Sequence, residues 1–167
     1  MKKTLFPAAS LLLVVLLAGQ YAIAASTATV TATVTVQNIS LTVSDGVVAY
    51  GTLGSNTTKS TCTSELNDLQ TITNNGNVAE TFNIKGQNSA NWTLAATAGS
   101  DQYVESFTTS TCATWSTGTA LTISYATAAT NVATSATSSL NLRINTPNPS
   151  TVFTSQSVDV LLQAVAF

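Results

Sequence analysis

Seven carboxylates, two cysteines and a few aromatic rings are the groups in this 167-residue chain that could do chemistry, and no histidine accompanies them. Without an imidazole, Ser-His-Asp and Cys-His catalysis and His-ligated metal sites are excluded. Two carboxylate pairs lie close in sequence, Glu65 with Asp68 and Asp101 with Glu105. Such a pair could act as the acid and base of a glycosidase, or as calcium ligands. Neither pair has the ligand density of a calcium loop, and solvated loop charges account for both. No catalytic residue, no metal and no cofactor is therefore expected. Trp92, Tyr103, Trp115 and Tyr125 could form a flat platform for sugar rings, although core packing is the commoner use of single aromatics in strands.

The leader sets the compartment. Lys2 and Lys3 give a positive start, Leu11–Ala18 is apolar, and Ala22-Ile23-Ala24 supplies small residues before Ala25. This is the layout of a secretory signal peptide over residues 1–24. Its apolar run is shorter than the roughly 20 residues of a bilayer span. The expectation is an exported protein, extracellular or at the cell surface, with no membrane span after cleavage. Beyond the leader only Lys59, Lys85 and Arg143 remain against the seven acids. Three scattered cations cannot neutralise a run of phosphates, so nucleic acid is excluded as a partner. Outside the cell, Cys62 and Cys112 are expected to form one disulfide, worth about 4 kcal/mol on the chain-entropy account. Neither cysteine has an adjacent basic residue to lower its pKa, which argues against a reactive thiol.

The elements that must carry these groups read as strands. Ser, Thr and β-branched residues dominate, and apolar residues recur with a period of two rather than 3.6. Strands are expected at Thr27–Val36, Ile39–Val43, Val47–Tyr50, Leu69–Asn74, Asn77–Lys85, Trp92–Thr97, Gln102–Thr108, Ala120–Ala126, Ser139–Asn145 and Ser157–Ala166. Asp45-Gly46 can turn the chain. Asn75-Gly76 predicts a type I′ hairpin with Leu69 opposite Phe82. The pattern predicts an all-β fold, an antiparallel Greek-key immunoglobulin-like β-sandwich, with residues 25–167 as one domain.

Two segments bear on partners. Thr27–Val36 alternates Thr on one face with Ala28, Val30, Ala32, Val34 and Val36 on the other, and carries no charge, proline or glycine. Natural edge strands usually carry such protection. The segment is either the first strand of its own domain or, over residues 25–37, a strand donated to a neighbouring subunit, with Val30, Ala32, Val34 and Val36 as the inserting residues. The C-terminal Ser157–Ala166 strand is apolar on both faces from Leu161 onward, as expected of a central strand or one covered by a partner.

Several pieces resemble known families. The leader, the Ala/Thr/Val strand, Ile39-Ser40-Leu41-Thr42-Val43, Val48-Ala49-Tyr50-Gly51-Thr52-Leu53 and the terminal Val158–Phe167 resemble the pilin-like spore coat U class, and more loosely TasA-type biofilm fibre subunits. The resemblance implies an immunoglobulin-like sandwich completed by strand exchange, a structural surface role and self-association or pairing with related subunits. Separately, Trp92-Thr93-Leu94 is similar to the W-x-L triplet of a Gram-positive wall-binding domain, which implies cell-wall polysaccharide as the alternative partner. A fibre subunit is the leading expectation, and a secreted wall- or carbohydrate-binding module is the alternative.

Overall fold

Period-two alternation becomes strands in the computed structural model, which describes residues 26–167; the leader and Ala25 lie outside the described residues. These are β1 Leu41–Val43, β2 Thr58–Ser60, β3 Gln70–Asn74, β4 Glu80–Gly86, β5 Thr93–Leu94, β6 Gln102–Thr108, β7 Thr119–Ala120, β8 Ala126–Val132, β9 Thr137–Asn145 and β10 Val160–Ala166. No helix occurs among the described residues. One sheet follows the path β1-β3-β9-β6-β5, with β2 also on β9 and β7 also on β6. The other is β10-β4-β8. Every pairing is antiparallel except β5 with β6.

The alternation decides what each strand buries. Phe82 and Ile84 of β4 face Ile72 of β3, Tyr103 and Phe107 of β6, and Leu140, Leu142 and Ile144 of β9 in one apolar cluster drawn from both sheets. Each of these side chains contributes roughly 1.5–3 kcal/mol on leaving water. The fold is thus a two-layer, all-β sandwich. Strand β9 is its spine, bonded to β3 along its first half, to β2 at its end, and to β6 on the other side. Cys62 and Cys112 form the expected disulfide, with Cα atoms 5.2 Å apart. The bridged loops cover Asn141 of β9, which accepts from the Thr61 hydroxyl at 3.0 Å and donates to Ser110 O at 2.9 Å.

The Asn75-Gly76 hairpin does not form. Strands β3 and β4 lie in different sheets, Phe82 is fully buried, and Leu69 is 39% exposed, so the two are not a pair. The polar groups of this connection are used elsewhere. The buried Asn74 amide donates to Val78 O and Val132 O and accepts from the Gly76 N–H. Gly76 is not in the left-handed region; it is needed because a Cβ there would collide with Glu80 Oε1 and Asn38 O.

Other expected strands shift as well. Val47–Tyr50 is not a strand: left-handed Gly46 and Gly51 bound it, and nothing in its sheet pairs with it. No strand occurs within residues 26–40, so Thr27–Val36 is not a first strand of the sandwich. The expected Ala120–Ala126 strand is replaced by β7 and β8, β2 arises where no strand was expected, and Trp92–Thr97 shrinks to β5. Strand β10 is not central. It is the edge of its sheet, bonded to β4 through Val160↔Gly86 to Ala166↔Glu80.

Candidate functional site

A groove of about 1120 Å³ opens into the sandwich between the irregular segment 46–55 and the run 150–162 that ends in β10. Its floor is the core face of β9, Leu140, Leu142 and Ile144. One wall presents Val48, Tyr50 and Leu53, half-buried against that core, and the other presents Val158, Val160 and Leu162. Part of each wall carries bare backbone, although Thr151 N, Val152 N and Ser155 O bond to side chains. Strand β10 bonds on one side to β4, and among the described residues Val48–Leu53 make no backbone–backbone hydrogen bond. Unpaired N–H and C=O groups flanking an apolar trough are the template for an added strand.

Among the polar groups that line the groove, which include Gln70, Thr146, Gln156 and Asp159, one is buried with an unpartnered oxygen, Glu105. Glu105 belongs to β6, whose inward positions are Tyr103, Glu105 and Phe107, and it is 1% exposed. The Tyr50 hydroxyl donates to Glu105 Oε1 at 2.6 Å, while Oε2 has no partner among the described residues. Burial pushes the Glu105 carboxyl up to about 8, with the Tyr50 hydrogen bond pulling the other way. Burial, followed by the Glu105 charge, raises the Tyr50 phenol well above its ordinary value. Tyr103 is raised by burial, Glu105 and Asp159.

Glu105 was missed as a site residue by reading it as a solvated loop charge. The signal was present: a period of two through Tyr103 and Phe107 puts Glu105 on the apolar face. Its sequence neighbour Asp101 is elsewhere in function. Asp101 accepts from Thr151 N, the Thr151 hydroxyl and the Ser150 hydroxyl, and the Thr151 bonds chiefly hold its carboxyl below the usual range. Glu65 accepts from Ser60 N, and Asp68 from the Gln70 amide, so that pair also serves local structure. The four aromatic rings do not form one exposed platform. Tyr103 is fully buried and tilted against Trp92 at 6.3 Å, its hydroxyl donating to Gln87 O. Lys85 sits over Tyr125 at 4.8 Å, and Arg143 over Trp115 at 5.9 Å.

The N-terminal candidates lie on exposed chain: Val30 is 92%, Val34 91% and Val36 81% exposed, and Ala32 is exposed too. Residues 36–40 are held by the β3–β4 connection. The Asn77 amide donates to Val36 O and accepts from Asn38 N, both at 2.8 Å, and Glu80 Oε1 accepts from Ser40 N at 2.8 Å. Comparison with protein-family models, with curated proteins and with solved structures finds no match to this chain.

Proposed function

We propose that the protein is an exported, non-enzymatic structural subunit of a surface fibre, assembled by β-strand donation in the manner of the pilin-like families it resembles. On this reading the sandwich is an immunoglobulin-like Greek key short of one strand. Residues 26–36 of one copy supply that strand to the groove of the next. The observation that carries the reading is the groove itself, an apolar floor between two walls of partly unpaired backbone. The donor fits it in length and in chemistry. Ten extended residues reach ~33 Å, enough to run the length of seven-residue β10. Alternating Val and Ala meet the floor while Thr faces out, and each valine buried contributes about 1.5 kcal/mol or more. A leader for export and a disulfide fit an extracellular setting. No observation favours the wall-polysaccharide alternative, since Tyr103 is not available to a surface ligand.

The test is size-exclusion chromatography with circular dichroism on residues 25–167 and two variants. Wild type and Thr33→Asp assemble, whereas Val34→Asp stays a folded monomer because an unpaired carboxylate cannot be buried cheaply. A wild-type chain that remains monomeric at high concentration overturns the reading.

A further inference from the structure

The groove holds one group that an apolar strand cannot satisfy. Glu105 Oε2 is buried, has no hydrogen-bond partner among the described residues, and sits on a carboxyl that borders the cavity. The surroundings provide no compensating charge. On β6 its inward neighbours are Tyr103 and Phe107, and β9 faces it with Ile144. Strand β2 brings Lys59 to the register position beyond Ile144. The 46–55 segment contributes Tyr50, whose hydroxyl is already committed to Oε1. The nearest acids, Asp68 beside Tyr50 and Asp159 ahead of β10 beside Tyr103, bring no positive charge.

An incoming strand with Val30, Ala32, Val34 and Val36 on its inner face displaces water from the groove and brings no hydrogen-bond donor from those side chains. A carboxylate left beneath it would be dry, charged and unpaired, which is far costlier than a buried neutral carboxyl. We propose that the groove accepts a donated strand only with Glu105 in its neutral form, so that assembly is gated by pH through this one carboxyl. Resting on the strand-donation reading, the proposal adds its regulation. Insertion above the titration range of the empty groove takes up one proton from solvent onto Glu105, and alkaline conditions therefore oppose it. The elevated position of this carboxyl, about 8, places the gate close to neutrality rather than in acid.

The experiment follows self-assembly of residues 25–167 by light scattering at pH 6.5 and pH 9.5, beside Glu105→Gln, with circular dichroism on each sample. Wild type is expected to need at least tenfold more protein to assemble at pH 9.5, while Glu105→Gln, neutral and isosteric, assembles equally at both. Circular dichroism establishes that the wild-type monomers at pH 9.5 are folded. If they are unfolded there, the comparison is made at the highest pH that keeps them folded, and the tenfold difference from Glu105→Gln is required at that pH. Equal assembly of wild type at both pH values, or the same fall in Glu105→Gln, overturns the gate and leaves strand donation standing. Absence of assembly at both pH values, in wild type and in Glu105→Gln, sinks strand donation and the gate with it.

Discussion

Glu80 and Glu105 occupy equivalent positions in two different strands and do different things. Each is on the inward face of an alternating strand, each is buried, and each has one bonded oxygen and one without a partner. Glu80 binds a backbone N–H, that of Ser40, and so ties down the chain leading into β1. Glu105 binds a phenol carried by a segment that has no ladder of its own. The bonded oxygen of the first fastens the chain that enters the sheet. That of the second holds a segment outside any ladder, beside a cavity.

The largest expected effect is the pH dependence of Glu105. Glu105 is raised from 4.5 to about 8, so the native state binds a proton more tightly than the unfolded chain. Its contribution to stability is full below about pH 4.5 and is lost as pH rises to about 8, on the order of 5 kcal/mol. Denaturant unfolding across this range should show wild type losing that stability relative to Glu105→Gln; parallel curves would show that Glu105 is not buried as described. Next, Gly76→Ala drives a Cβ into Glu80 Oε1 and Asn38 O and should cost about 3 kcal/mol by the same measurement. The smallest effect is Tyr50→Phe, which removes one hydrogen bond to Glu105 and should cost about 1 kcal/mol near neutral pH. A cost as large as that of Gly76→Ala would mean that Tyr50 is as rigidly built in as the Glu80 clasp.

Much of the sandwich was legible because burial imposes a period of two. Strands β4, β6, β9 and β10 fall within or beside the expected runs, and the disulfide follows from the compartment that the leader implies. What failed was partner choice. Asn75-Gly76 is a strong local hairpin signal, yet the Asn74 and Asn77 amides bind the chain on either side, and β3 and β4 part into separate sheets. Local turn chemistry cannot report the distant ones among these contacts, Asn74 with Val132 across 58 residues and Asn77 with Val36 across 41. The groove was illegible for a related reason: it is a gap between Val48–Leu53 and β10, and a gap leaves no residue signature. Glu105 was legible in principle. A carboxylate flanked at i−2 and i+2 by Tyr103 and Phe107 reads as buried as soon as the strand is granted.

The clasp around residues 36–40 has a mechanical consequence. A pull applied at Val36 reaches Asn77 and Glu80 first, then β1, which runs antiparallel to β3 from Leu41↔Asn74 to Val43↔Ile72. Ladder bonds lie across the strand direction, so tension along β1 shears them together rather than peeling them one at a time. The load then passes from β3 into β9, which is bonded to β3 and β2 on one side and β6 on the other, and where the disulfide-bonded loops grip Asn141. Force entering at the arm is therefore delivered to the most heavily braced strand of the molecule, and the groove-lining segment 46–55 is left off that route.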